Sequence, residues 1–222
     1  MKKVLLISAT DLEIAPFVTH QKSAQHSDFQ HIDVLITGVG QLQTTFRLTK
    51  QLLKHRYDFV VQAGIAGAFD RTIALGKVVE VASEILYDLS IQDKDASETD
   101  FFDAGFIDKN QVPFYNKKLL PTAHQSWKND LQKVHSITVN KVHGEANAIQ
   151  KAIEKWNPDI ENMEGAALFY VCASLNVPCA QLRAISNYVE PRNRDAWNIP
   201  LAINALNNYL IYIFDDSTSA RS

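Results

Sequence analysis

No long hydrophobic run occurs in this 222-residue chain; its apolar stretches are short and interrupted, which argues against a transmembrane span. An excess of basic charge is missing too. With 22 Lys and Arg against 25 Asp and Glu, the formal net charge is −3, so the basic footprint of a nucleic-acid binder is absent. Cysteine is scarce: Cys172 and Cys179 lie in apolar surroundings and read as reduced core residues, with a disulfide or catalytic role as the alternative. The seven histidines show no close metal-ligand spacing such as His-Glu-x-x-His, so neither a metal nor another cofactor is implied. The start, Met1 to Ala9, superficially resembles a signal peptide, yet its apolar core is minimal and Asp11 and Glu13 follow where a cleavage region belongs. A first sheet strand is the better reading, with the cytoplasm as the expected compartment. Repeats, low-complexity blocks and linkers are also lacking. Residues 1–214 therefore read as one domain, and 215–222 as a frayed tail.

What is present is an alternation of β-rich runs and helical stretches. Strands are expected at Val4–Ala9, Ile32–Thr37, Asp58–Ala63, Val78–Ala82, Ile85–Leu89, Ser136–Val142 and Cys179–Ser186. Helices are expected at Asp11–Thr19, around Leu42 to Leu53, near Pro121–Leu131, and at Glu145–Trp156, Met163–Leu175 and Ala196–Phe214. The glycines of Gly64-Ile65-Ala66-Gly67 read as a stop to the third strand, and Asn157-Pro158-Asp159 as a break before Ile160. Two successive strands without an intervening helix predict a mixed sheet in an α/β fold. Gln92 to Pro113, with five aspartates and the Phe101-Phe102 pair, reads as a functional or partner-facing loop.

The residues able to do chemistry fall at strand ends, where α/β folds collect ligands. Glu13 lies one turn into the helix that leaves the first strand; it is either an acid favoured by the helix dipole or a functional carboxylate. Glu164 stands at a similar junction, beside Gly165, Ala166 and Ala167, where a carboxylate can accept two hydroxyl protons, as a ribose diol requires. Gly38/Gly40 and Gly64/Gly67 match neither the dinucleotide fingerprint nor the P-loop, and tight turns explain them equally well.

Taken in order, Ser8-Ala9-Thr10-Asp11-Leu12-Glu13, Thr37-Gly38-Val39-Gly40, Ala63-Gly64-Ile65-Ala66-Gly67, Asn162-Met163-Glu164-Gly165-Ala166-Ala167 and Arg183-Ala184-Ile185-Ser186-Asn187 make a far more specific pattern. From about residue 3 to 214 the chain resembles the purine nucleoside phosphorylase and nucleosidase superfamily. Met163-Glu164-Gly165-Ala166 and Ser186-Asn187, which looks like that family's Ser-Asp, are the most diagnostic parts. The resemblance implies a single-domain, three-layer α/β/α architecture, a purine nucleoside as small-molecule substrate, and a homodimer or larger homo-oligomer. It also implies roles: Glu164 holds the ribose hydroxyls, Met163 packs on the sugar, Asn187 faces the purine, and Gly64, Ile65, Ala66 and Ser186 contribute to the substrate site. Val142, His143 and Gly144 are the candidates for a base-stacking wall.

Two departures within that superfamily narrow the chemistry. Its bacterial phosphorylases tend to place arginine at the positions of Glu13 and Gln62 and serine at that of Ile65. An acid, an amide and a hydrocarbon stand here instead, a poor setting for a phosphate dianion. Arg47 is either a remaining phosphate ligand or a solvated or subunit-contact arginine. By resemblance, Glu13 becomes the general base that activates water. Where adenine-releasing relatives carry aspartate, this chain has Asn187, which can donate to the O6 or N7 of a 6-oxopurine. The stretch from Arg183 to Trp197, with Arg192-x-Arg194, is similar to that of the futalosine hydrolases, which release hypoxanthine on a menaquinone route. Glu190-Pro191 departs from their glycine-containing turn. Arg192 and Arg194 read either as partners for a substrate carboxylate or as a solvated cluster. A methylthioadenosine or adenosylhomocysteine nucleosidase and a non-catalytic nucleoside-binding relative are the alternatives.

Overall fold

Along β1 (Lys3–Ser8) successive side chains leave the strand in opposite directions, and all from Val4 onward are buried. Val4 and Leu6 join a cluster with Ile14 and Phe17 of α1 (Asp11–Ser23) and Ala202, Leu206 and Leu210 of α5 (Ile199–Phe214). Leu5 and Ile7 join another, with Leu48 of α2 (Gln41–Lys54) and Leu168 and Phe169 of α4 (Gly165–Ser174). A strand apolar on both faces needs a helical layer on each side, which makes the fold an α/β one with a central sheet. The computed structural model describes residues 3–23, 31–94, 97–122, 127 and 129–214, and the expected frayed tail at 215–222 lies outside them.

The remaining elements are β2 (His31–Ile36), β3 (Phe59–Ala68), β4 (Val78–Leu86), β5 (Ser90–Gln92), β6 (Glu98–Asp100), β7 (Lys133–Thr138), α3 (Ala146–Trp156), β8 (Ile160–Asn162) and β9 (Cys179–Tyr188). The large sheet runs β2-β1-β3-β8-β7-β4-β9, and β3 also pairs with β9, so its last five strands close on themselves. β3 is parallel to β1 and β9 but antiparallel to β8, and β4 is parallel to β7 but antiparallel to β9. The sheet is mixed, as expected, although the two adjacent strands that suggested it are one strand. No helix among the described residues is long and apolar enough to cross a membrane.

Several expectations are corrected. The Gly64–Gly67 run does not end β3; it continues the strand to Ala68 because it pairs with both β8 and β9. Val78–Ala82 and Ile85–Leu89 are not two strands, since the ladder with β7 runs through one irregularity between Val81 and Ser83. Residues 160–162, read as following a break, form a strand of their own. The helix expected near Pro121–Leu131 falls partly outside the described residues, and those described there, 121–122, 127 and 129–131, are not helical. Thr122 accepts from Cys179 N–H at 2.9 Å, Trp127 Nε1 donates to Glu80 at 3.2 Å, and Asn129 also bonds Glu80, so these three residues lie against the sheet. Within Gln92–Pro113 the chain forms part of a small hairpin, and Asp100 accepts from the main-chain N–H of Phe102 and Asp103. Cys172 and Cys179 are buried free thiols in the core cluster of Leu5, Ile7 and Leu168.

Candidate active site

Glu13 is fixed from three directions. Its Oε2 accepts from Ser8 Oγ at 3.1 Å, Thr10 N–H at 2.9 Å and Thr10 Oγ1 at 3.0 Å. Oε1 accepts from the main-chain N–H of Ile65 on β3 at 3.1 Å. One oxygen is thus saturated, while the other keeps a lone-pair direction for a further donor. The turn that carries Glu13 is itself held by α5. Pro16 interrupts the α1 ladder, and Asn207 spans the gap, donating to Glu13 C=O at 2.8 Å and accepting from Phe17 N–H at 2.9 Å.

Glu164 caps the junction of β8 and α4 and is 4% exposed. Its Oε1 accepts at 3.0 Å from the N–H of Gly40, whose φ of 91° is a conformation that side-chain-bearing residues rarely adopt. Its Oε2 faces Arg183 Nη1 at 3.4 Å. Arg183 is the largest fully buried side chain, and its donors reach Gln62 at 3.2 Å, Asn162 at 3.0 Å, Gln181 at 3.1 Å and Ile65 C=O at 3.3 Å. Asn162 and Gln181 both then donate to Glu84 Oε1 at 2.6 Å, and Thr138 Oγ1 donates to Glu84 Oε2 at 2.8 Å. Complete burial pushes the Glu84 carboxyl up to about 7, against the opposing pull of Thr138, Asn162, Arg183 and Ser136.

Gly67 organises the opposite end. It pairs with Glu161 on β8 and with Asn187 on β9, which places those two side chains on its flanks. A bulge puts Ser186 outside the ladder between the Ala66–Ile185 and Gly67–Asn187 pairs. A Cβ on Gly67 would lie 3.0 Å from Val189 Cγ2 and 3.1 Å from Asn187 Nδ2, so glycine is what lets these two side chains approach the strand. Asn187 Nδ2 donates to Tyr188 C=O at 3.1 Å, which fixes the orientation of the amide, and Oδ1 accepts from Ser186 Oγ at 2.8 Å. Glu161 holds both the main-chain N–H of His143, at 3.1 Å, and its Nδ1, at 2.6 Å.

These groups surround one cavity of about 320 Å³. Of the residues expected from the sequence, Glu13, Ile65, Ala66, Val142, His143, Met163, Glu164, Ser186 and Asn187 line it. Gly64 lies behind the wall, where a Cβ would be 2.5 Å from Arg183 Nη1 and 3.0 Å from Glu13 Oε1. Gly144 is outside the lining and touches Arg192, so it is not part of the wall expected there. Arg47 donates to Ile36 C=O at 2.9 Å and does not line the cavity. Sequence reasoning assigned nothing to Glu161, Glu84 or the Arg183 side chain. The available signal was polar residues inside apolar strands, which are seldom buried unless paired. Among the described residues no cluster of His, Cys, Asp and Glu is arranged to hold a metal ion.

An α/β fold with a mixed, partly closed sheet and carboxylates gathered at its strand ends is the setting in which the similarities to known proteins fall. The profile of the Phosphorylase superfamily matches residues 3–212, and the chain belongs to that family. A futalosine hydrolase of Thermus thermophilus is 27% identical over 91% of both chains. A 5′-methylthioadenosine/S-adenosylhomocysteine nucleosidase of Maridesulfovibrio salexigens is 31% identical over 71% of this chain and 68% of the relative. The structure of a nucleosidase of that second kind from Colwellia psychrerythraea, in complex with adenine, superposes with a TM-score of 0.75 at 17% identity, covering 96% of this chain and 94% of that one.

Proposed function

We propose that this nucleosidase hydrolyses the N-glycosidic bond of a 6-oxopurine nucleoside, futalosine foremost, releasing hypoxanthine. Similarity to relatives of both names supports the hydrolytic class, and the cavity supports the finer reading. The observation that carries it is the state of the Asn187 amide. Its oxygen accepts from Ser186 and one N–H donates to Tyr188 C=O, and its second N–H is left as a donor for a ligand. A donor matches O6 or N7 of hypoxanthine and opposes the 6-amino group of adenine.

In this reading the oxygen of Glu13 that holds only Ile65 N–H takes a proton from water as the water attacks the anomeric carbon. Glu164, held by Gly40 and faced by Arg183, accepts from the ribose hydroxyls and stabilises the positive charge that develops on the sugar. Asn187 stabilises negative charge on the departing base. The hydrocarbon of Ile65 and the diversion of Arg47 to Ile36 leave a phosphate dianion poorly compensated beside Glu13, which favours water as nucleophile.

The test is product analysis of the purified protein with futalosine, aminodeoxyfutalosine and methylthioadenosine, with and without phosphate. Hypoxanthine release independent of phosphate is expected. Dominant adenine release would remove the 6-oxopurine assignment, and a strict phosphate requirement would remove hydrolysis.

A further inference from the structure

Opposite Asn187, the cavity is lined by a buried histidine–carboxylate pair that the hydrolytic step does not use. Side-chain exposure is only 6% for His143 and 4% for Glu161. Both Glu161 oxygens are spent on His143, one on its main-chain N–H and the other on Nδ1. The ring is also edged by Tyr87, with centroids 4.8 Å apart, and Phe69, at 6.0 Å. Four contacts from three side chains would be superfluous for a residue that merely fills space. They fix the position and tautomer of an imidazole at a cavity wall.

We propose that His143, oriented by Glu161, is a second purine-reading residue, which accepts a hydrogen bond from N1–H of a 6-oxopurine. The carboxylate requires the proton on Nδ1, so Nε2 of the neutral ring is an acceptor. No described residue bonds Nε2. The register brings the histidine's carboxylate partner beside Asn187. Glu161 and Asn187 flank Gly67 on neighbouring strands, and strands lie about 4.8 Å apart, so their main chains stand on the order of 10 Å from each other while their side chains converge over the glycine, where a Cβ would lie 3.1 Å from Asn187 Nδ2 and 3.6 Å from Glu161 Cγ. A purine edge entering over Gly67 meets a donor from Asn187 on one side and an acceptor from His143 on the other. Hypoxanthine offers the complement, a carbonyl next to an N–H. Adenine has an unprotonated N1 and would set two lone pairs against each other there. The main-chain N–H of His143 is already bound to Glu161 and is not a donor to the base.

This inference rests on the 6-oxopurine reading and refines it. Futalosine and aminodeoxyfutalosine share their 5′ group and differ at purine C6, so their kcat/KM ratio isolates base recognition. His143→Phe keeps an aromatic ring and removes the acceptor. It is expected to lower kcat/KM for futalosine about tenfold or more while changing that for aminodeoxyfutalosine by less than about threefold. Glu161→Gln is expected to move the ratio the same way. Calorimetry with the free bases provides a second measurement. Wild type should bind hypoxanthine at least about tenfold more tightly than 1-methylhypoxanthine, and His143→Phe should bind the two alike. An unchanged substrate ratio, or equal loss on both nucleosides, would overturn the inference while leaving the 6-oxopurine reading intact. A wild-type protein that prefers aminodeoxyfutalosine would overturn that reading and the hydrogen bond assigned to His143 together.

Discussion

Asn207 bridges the main-chain carbonyl of Glu13 and the main-chain N–H of Phe17, two groups that would bond each other in an uninterrupted helix. The amide comes from α5, 194 residues away from Glu13, and is 1% exposed. It holds open the turn that Pro16 loosens, and with it the carboxylate at the cavity. Asn207→Leu preserves shape but orphans both groups, so a loss of roughly 2–4 kcal/mol is expected in urea unfolding. The same variant should lose about ten- to a hundredfold in kcat, because a displaced base is a poor one. Asn207→Asp keeps the acceptor for Phe17 and should fall between the two. Wild-type kcat in Asn207→Leu would mean that Glu13 is positioned by its side-chain contacts alone.

Glu84 gives the stability a definite pH dependence. Its carboxyl titrates near 4.5 in an unfolded chain and at about 7 when buried, so between these values the folded protein keeps a proton that the unfolded chain has lost. The contribution of this group therefore makes stability fall as pH rises from about 4.5 to about 7, and leaves it level on either side. A shift of that size corresponds to on the order of 3 kcal/mol. Glu84→Gln removes the titration. Urea unfolding of both proteins at pH 5 and pH 8 should show the variant gaining on wild type at the higher pH. A constant difference between them would show that Glu84 is ionised in the fold.

Much of this architecture was legible because its signals are local. β1 and β9 are apolar runs that end in polar residues, and Glu145 begins α3 by accepting from Asn147 and Ala148 N–H as an N-terminal cap should. Gly64 and Gly67 were misread as a strand stop for a reason outside the strand. Each is glycine because another element approaches it, Arg183 and Glu13 in one case and Asn187 and Val189 in the other. The role of Arg183 was hidden in the same way, since Gln62 is 121 residues distant and Asn162 lies on a different strand. Periodicity reports which face a residue occupies, not which distant polar group completes its hydrogen bonds. Glu161 lay next to a motif that was recognised, but its partner His143 comes from the segment after β7, and only the β8–β3 register brings the pair beside Asn187.

Replacing Asn187 by Asp should reverse the presentation of the pocket. The amide offers an N–H, whereas a carboxylate offers only acceptors. O6 of a 6-oxopurine would then face negative charge, and a 6-amino group would find a partner. The ratio of kcat/KM for futalosine over aminodeoxyfutalosine is expected to fall by about ten- to a hundredfold. Ser186 can reorient its hydroxyl toward the new carboxylate, so folding should survive. A ratio that stays put would detach Asn187 from base recognition.

Glu13→Gln separates catalysis from binding. The side-chain oxygen of the glutamine must take the place of Oε2, where three donors converge from Ser8 and Thr10. Its NH₂ group is thereby forced toward Ile65 N–H, at the position from which Glu13 is proposed to accept the proton of water. The variant consequently has a donor where the reaction needs an acceptor, and kcat should fall by about 10²–10⁴. The groups around Gly67 are untouched, so hypoxanthine should bind with affinity close to wild type in calorimetry. Turnover comparable to wild type would show that another group activates the water. Loss of hypoxanthine binding along with turnover would instead make Glu13 a structural support for the cavity.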